Sequence, residues 1–261
     1  VAAESGCGVL RHAPPPGDFR HVRYPAPAPL REWVEHFWFE TWSFPRGTRQ
    51  LREMLPHPSI QLVFARGAAR IYGVQLGRFT RELQDQGQLF GVRFWPGAFR
   101  PFVCQPVATL ANRVLPAECV LSGVEAAAAA LLGCDTEQAM TAVATSYLLQ
   151  HLPPADPNVA VARGAVQQVA ADRSLMRVRQ LAVRSALGER ALQRLFHGYV
   201  GASARWVIKR YRTYEALEQL RTVGAGQLAD LAQRLGYFDQ AHFTNDFSKR
   251  VGQAPAVYLK R

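Results

Sequence analysis

Five residues near the middle of the chain, Pro153-Pro154-Ala155-Asp156-Pro157, divide it into two parts of different texture. Proline has no backbone donor, fixes its own φ and pushes the preceding residue away from helix, so three prolines in five positions end whatever comes before them. Ahead of this break, short aromatic and β-branched runs alternate with Gly and Pro. Beyond it, almost every segment repeats its apolar residues at helical spacing, and no segment reads as a strand.

In the N-terminal part, residues 1–29 are rich in Pro and Ala, as in Pro14-Pro15-Pro16-Gly17 and Pro25-Ala26-Pro27-Ala28-Pro29. They read as an extended lead-in. A short helix is expected over 30–36. Strands are expected over 37–44, 60–65, 70–75 and 89–94, whose aromatic and β-branched residues suit a half-buried pleated surface. The Ala- and Leu-rich stretches 125–132 and 136–152 predict helices. The expected fold is α+β: a lead-in (1–29), a β-rich domain with flanking helices (30–152), a linker (153–157), and an all-α domain (158–261) with two helix-turn-helix units joined by a long helix.

Charge assigns a partner to the second part. The chain carries 31 Lys+Arg against 20 Asp+Glu, a formal net charge of +11. Residues 159–261 hold 17 basic and 7 acidic side chains, against 14 and 13 in residues 1–158. The excess therefore sits almost wholly in the helical part, and points there to an anionic partner. A membrane surface is the rival to nucleic acid, but these charges lie on several helices instead of one continuous basic face.

Two segments of the helical part share a plan. In the first, residues 178–184 form a short helix, Ser185-Ala186-Leu187-Gly188 a turn, and residues 189–199 a second helix stopped by Gly201. In the second, residues 227–235 form the short helix, Gly236-Tyr237-Phe238-Asp239 the turn, and residues 240–251 the second helix, stopped by Gly252. Asp239 suits an N-cap and the two glycines suit left-handed stops. On a helical wheel Leu192, Leu195 and Phe196 face inward, leaving Arg190, Gln193, Arg194 and His197 outward. In the second unit Phe243, Phe247 and Val251 face inward; Ala241, His242, Asn245 and Lys249 face away, with Gln240 and Thr244 on the flank. Arg, Gln and Asn can pair bidentately with guanine or adenine edges in the major groove. A lone helix of this kind would read as a solvated face; two, each behind a short helix and a turn, read as DNA contacts.

The stretches Leu181-Ala182, Glu189-Arg190-Ala191-Leu192-Gln193-Arg194-Leu195-Phe196 and Gly201-Ala202-Ser203 resemble the first helix-turn-helix of the AraC/XylS family of bacterial transcription regulators. Leu228-Ala229-Asp230-Leu231-Ala232-Gln233-Arg234-Leu235-Gly236-Tyr237-Phe238-Asp239-Gln240-Ala241-His242-Phe243, Phe247-Ser248-Lys249, Gly252-Gln253-Ala254-Pro255 and Tyr258 resemble its second. The resemblance implies a long joining helix over about 204–221. It also implies DNA-reading roles for Arg190, Gln193 and Arg194 in the first unit and for Gln240, His242, Thr244 and Asn245 in the second. Gly188 stands where the family usually has a capping Ser, and Ala204 where it usually has Pro. Leu55-Pro56-His57-Pro58-Ser59-Ile60-Gln61-Leu62-Val63-Phe64 and Gly91-Val92-Arg93-Phe94-Trp95-Pro96-Gly97 resemble the β-rich N-terminal domain of a subset of these regulators, with His57-Pro58 where that subset tends to carry Asp-Gly. This implies a sensing or dimerising domain.

Other chemistry is thinly represented. The seven histidines (12, 21, 36, 57, 151, 197 and 242) show no metal-ligand spacing, and Cys7, Cys104, Cys119 and Cys134 form no C-x-x-C pair. No nucleophile elbow, Walker loop or dinucleotide fingerprint is present, so catalytic residues, metals and cofactors are not expected. The aromatic group Trp33, Phe37, Trp38, Phe39, Trp42 and Phe44 reads first as core and second as the wall of an effector pocket, for which Trp38, Trp42, Phe64 and Phe94 are the candidates. Arg93, on an otherwise apolar strand, reads first as a residue facing solvent and second as a buried anchor for an anionic group. The partners expected are an operator in double-stranded DNA, a small-molecule effector, RNA polymerase and a second copy of the chain, through 125–132 and 136–152. With no secretory signal or membrane-length apolar run, a reduced cytoplasmic protein is expected. The rivals are a small-molecule binder that has lost DNA binding, against which Arg190, Gln193, Arg194 and Asn245 are all retained, and an enzyme, for which no acid–base set is seen.

Overall fold

The computed structural model describes residues 10, 14–221 and 227–259; Cys7, His12 and most of the first thirteen residues of the lead-in lie outside them. Six strands lie side by side, all antiparallel, in the order β1 (Asp18–Pro25), β2 (Val34–Ser43), β7 (Gln86–Phe94), β4 (Gln61–Ala65), β5 (Ala68–Tyr72) and β8 (Val114–Pro116). Two more, β3 (Arg49–Met54) and β6 (Phe79–Gln84), pair as a separate ribbon. Only Asp85, in the left-handed region at φ 49°, separates β6 from β7. The chain thus passes from ribbon to sheet without a loop, and the ribbon stands over one sheet face: Trp42 Nε1 donates to the Gln84 carbonyl at 2.9 Å, and the rings of Tyr72 and Phe79 meet edge-on at 5.9 Å.

Alternation sorts the sheet's two faces. Phe37, Phe39, Leu62, Phe64, Ile71, Phe90, Val92 and Phe94 join the main core, while Trp38, Val63 and Leu89 cluster on the side that meets the ribbon. The expected strands are present with shifted ends. The helix expected over 30–36 is not: a single 3-10 turn at Ala28–Leu30 is followed by strand from Val34. Proline at 27 and 29 permits one tight turn, and β2 gains more from pairing on both edges than a short isolated helix could return. The lead-in also differs from expectation, since Asp18–Pro25 pairs along its whole length with β2. Its Arg20, His21 and Arg23 break the apolar alternation by which a strand is recognised.

Two helices, α1 (Val124–Leu132) and α2 (Glu137–Leu149), follow the sheet. Thr136 caps α2 by accepting from the Ala139 N–H at 3.2 Å. The end of the proline break starts α3 (Pro157–Ala171): Asp156 accepts from the Asn158 N–H at 2.9 Å, and Pro157 takes the first helical position, where a missing N–H does no harm. The rest is helical: α4 (Val178–Arg184), α5 (Glu189–Leu195), α6 (Ala204–Gln219), α7 (Leu228–Arg234), α8 (Gln240–Val251) and α9 (Pro255–Leu259). Among the described residues no helix is long and apolar enough to cross a membrane.

The break in texture at 153–157 is not a break in packing. One continuous core runs from Phe94 and Phe99 through Ala162 and Val166 of α3 to Leu181, Leu192, Phe196, Val207 and Ile208. A second core contains Tyr214, Leu217, Leu231, Phe243, Phe247 and Tyr258, and takes in Leu55 from the N-terminal part. Each large apolar side chain so buried contributes roughly 1.5–3 kcal/mol. The first helix pair therefore shares its stability with the β sheet, and the second carries its own.

Candidate nucleic-acid interface

The two helix pairs are near repeats. In the first, Ala186 adopts φ 52° and the Leu187 N–H reaches back to the Ala182 carbonyl at 2.9 Å; in the second, Gly236 adopts φ 73° and the Tyr237 N–H reaches the Ala232 carbonyl at 2.9 Å. The second turn is one residue longer before its helix starts. That added residue is Phe238, which is 90 % exposed. Asp239 then caps α8, its Oδ1 accepting from the His242 N–H at 2.7 Å, whereas Gly188 gives α5 no side-chain cap. Beyond Leu195 the last turn of the first reading helix widens into a π-turn (Phe196–Val200), closed by the Gly201 N–H on the Phe196 carbonyl at 2.9 Å. Gly201 and Gly252 end the two helices at φ 81° and 87°, the left-handed stop that only glycine takes without strain.

Every predicted contact residue except Thr244 is exposed. On α5 and its final turn, Arg190, Gln193, Arg194 and His197 face solvent while Leu192, Leu195 and Phe196 are buried. On α8, Gln240, His242, Asn245 and Lys249 are exposed and Thr244 is half-buried, its carbonyl accepting from Ser248 Oγ at 2.6 Å. His242 lies edge-on to Tyr237 at 5.2 Å, which holds its ring beside the turn. The helix α6 joins the units, capped by Ser203 Oγ, which accepts from the Trp206 N–H at 3.2 Å.

Sequence reading missed the residues that aim α8. Asp246 accepts from Arg250 Nη2 at 2.5 Å and from the Tyr237 hydroxyl at 2.8 Å, and pairs with Lys209 of α6 at 3.5 Å. Burial alone would raise its pKa; the bonds from Arg250 and Tyr237 and the charges of Arg250 and Lys209 outweigh that and hold it at about 2. Burial, then the Asp246 charge, pushes the Tyr237 hydroxyl up. Arg212 of α6 spans both units, over the Tyr237 ring at 5.4 Å and donating to Met176 Sδ at 2.6 Å ahead of α4. A carboxylate at 246 looks like one more polar surface residue in sequence; only packing makes it a hub.

The four candidate effector residues part company. Phe64 and Phe94 are 1 % and 0 % exposed in the main core, Phe94 against Phe99 at 4.9 Å. Trp42 lines a cavity of about 150 Å³ between sheet and ribbon, with Val63, Tyr72, Arg81, Leu83 and Leu89. Trp38 lies farther along the same face, stacked on His21 at 6.2 Å and donating to Gln61 Oε1 at 2.9 Å. Beside them Glu40, buried, meets His21 at 3.0 Å and Arg81 at 3.4 Å. Burial opposes its ionisation, but the His21 bond and the Arg81 charge hold its pKa below the ordinary value. Arg93 corrects the expectation that it faces solvent: it is 8 % exposed, paired with Glu35 Oε2 at 2.9 Å and close to Ser59 Oγ at 3.4 Å. Its neighbour His36 is kept neutral by burial and the Arg93 charge, its pKa lowered to about 2.

Two reading helices with outward polar faces, carried on one joining helix, define a double helix-turn-helix DNA-binding domain. Residues 181–261 match the family model described as a helix-turn-helix domain, and residues 22–116 match one described as a domain of unknown function (DUF6597). The C-terminal part of the chain is thus a helix-turn-helix domain of the AraC/XylS type, attached to a β-rich N-terminal part. Comparison with curated proteins gives no match. Among solved structures, the C-terminal domain of AraT, a response regulator from Geobacillus stearothermophilus, is 23% identical over 40% of this chain and 85% of its own, with a TM-score of 0.35. ToxT from Vibrio cholerae is 10% identical over 86% of this chain and 98% of its own, with a TM-score of 0.45.

Proposed function

We propose that the protein is a sequence-specific DNA-binding regulator of transcription. The observation that carries this reading is the pair of exposed polar faces on α5 (Arg190, Gln193, Arg194) and α8 (Gln240, Asn245), each backed by buried apolar residues and each set behind a tight turn. Both helices lie in one chain, so one protomer can address two successive major-groove segments about one helical turn (~34 Å) apart. Selection of duplexes from a randomised pool, followed by footprinting, should give a shared sequence with two protected segments at that spacing. Recovery of duplexes with no sequence in common would overturn the reading.

The cavity between sheet and ribbon supports a second element, an effector site for a small, largely apolar molecule, with Trp42 as its aromatic wall and Arg81 as its cation. Calorimetry against small aromatic and aliphatic metabolites tests this; binding that survives Trp42→Ala unchanged would place the site elsewhere. Contact with RNA polymerase and pairing of two copies through α1 and α2 belong to the same reading, and Leu149 at the end of α2 is 41 % exposed. Ultracentrifugation of the full chain decides the pairing.

A further inference from the structure

The loop between β5 and β6, residues 73–78, touches three successive parts of the DNA-reading domain. Val74 packs against Gly201, where the first reading helix stops; a Cβ at that glycine would stand 3.3 Å from Val74 Cγ2. The Leu76 carbonyl accepts from Trp206 Nε1 at 3.0 Å and from Arg210 Nη2 at 2.9 Å, and the Gly77 carbonyl from the same Nη2 at 3.3 Å, both donors lying on α6. The Arg78 guanidinium lies against Gly252, where the second reading helix stops, and pairs with Glu53 at 3.1 Å.

Arg210 is the unusual member. It is 2 % exposed, stacks over Trp206 at 4.5 Å, and among the described residues pairs with no carboxylate. Its Nε and Nη1 are buried and make no hydrogen bond of good geometry, although the Tyr214 hydroxyl one turn on favours its charge. A buried cation without a counter-charge is costly to desolvate, and what satisfies it here is the pair of loop carbonyls; an apolar side chain at 210 would leave those carbonyls short of a donor.

We propose that Arg210 is a positioning residue: with the loop at 73–78 it ties α6, and through Lys209 and Asp246 the second reading helix, to the β sheet, and so sets the spacing between the two DNA-reading helices. The asymmetry of packing fits this. The first unit shares the sheet's core, while the second has its own core and reaches the N-terminal part through α6, Leu10, Leu55, His57 and this loop. The loop also begins and ends at the cavity. Tyr72 just before it and Arg81 three residues past its end line that space, so the loop runs between two of the cavity's lining residues. The role assigned to Arg210 rests on the DNA-binding reading, whereas the tie itself is independent of DNA.

Arg210→Met keeps length and apolar contact and removes the donors. The test pairs two measurements on the full-length protein. In hydrogen exchange without DNA, the variant should exchange faster over residues 228–259 with the sheet unchanged. In competition binding with the selected duplex, one inserted base pair between the two segments should weaken the wild type by roughly tenfold or more and the variant much less, with base preferences inside each segment retained. Unchanged exchange in 228–259 would overturn the tie, and unchanged spacing dependence in a variant with faster exchange would overturn the positioning role. If the wild type selects no sequence, the DNA reading fails while the exchange result still judges the tie. Should Arg210→Met not fold, Trp206→Phe removes one donor to the same carbonyl and should loosen the same residues; no loosening there overturns the proposal as well.

Discussion

The indole of Trp38 lies flat across Gly91 on the neighbouring strand, in the place a Cβ at that position would occupy. Trp42 sits likewise over Gly87, four residues back on β7 and across the sheet from it. The two glycines let two large aromatics form one side of the ribbon-covered space. Gly91→Ala should therefore destabilise the protein by about 1–3 kcal/mol through displacement of the indole, outweighing the smaller gain of about 0.4–1 kcal/mol from a stiffer unfolded chain. Denaturant unfolding followed by tryptophan fluorescence checks both the midpoint and the change around Trp38.

The first reading helix begins at Gly188 with φ −72° and ψ 152°, and a Cβ there meets nothing within 4 Å. Serine fits that backbone and can accept from the first-turn N–H groups. Gly188→Ser should stabilise the protein by roughly a few tenths of a kcal/mol. A rise in the thermal midpoint without loss of DNA affinity is the expected result; a rise accompanied by a loss of affinity would mean that the glycine serves an approach to the DNA backbone.

Asp246 ionises with a pKa of about 2 in the fold against an ordinary value of 3.8. Its contribution to stability is fully present above about pH 4 and is lost as pH falls toward 2, because the unfolded state then binds the proton more tightly. Asp246→Asn should cost about 1–2 kcal/mol at pH 7, the lower end reflecting partial solvent screening. The difference between wild type and variant should shrink as pH falls from 4 to 2. Parallel pH–stability curves would show that the charge is not what holds α8.

Arg194 and Lys249 are both exposed, on α5 and α8, and the proposed DNA-binding function gives them different work. Arg194 is exposed near the end of α5 and carries the fork that matches a guanine edge; Lys249 lies in the last turn of α8 and carries the point charge that suits a phosphate. Arg194→Ala should cost roughly 1–3 kcal/mol of binding and relax preference at one or two base pairs. Lys249→Ala should weaken all sequences alike and lower the salt slope by about one. Competition with randomised operators separates the two, and a uniform loss from Arg194→Ala would make it a phosphate clamp.

Phe238, the residue that lengthens the second turn, gains nothing from the folded chain where it stands. Phe238→Ala should leave the thermal midpoint almost unchanged, within about 0.5 kcal/mol of stability, and still lower affinity for DNA, where an aromatic at the mouth of α8 can pack on a thymine methyl or a sugar. Replacing thymine by deoxyuridine in the selected site should weaken the wild type and not the variant. Equal sensitivity of both would place Phe238 away from the bases.

The information that the residues carry on their own is local. Turn residues, caps and a 3.6-residue period act within a dozen positions, so both helix-turn-helix units, their stops at Gly201 and Gly252 and their outward faces are legible in the sequence. The apolar strands β2, β4, β5 and β7 are legible for the same reason. Whatever depends on partners distant in the chain is settled only by the tertiary fold. Strands β1, β3 and β6 carry too many charges to announce themselves, and exist because β2 and the ribbon supply their hydrogen bonds. The burial of Arg93 depends on Glu35 and Ser59, and the split between Trp42 at the cavity and Phe64 in solid core depends on which sheet face the ribbon covers. The shared core across 153–157 is of the same kind: a proline run stops a helix through its own backbone, but has no means of stopping side chains on either side of it from packing together.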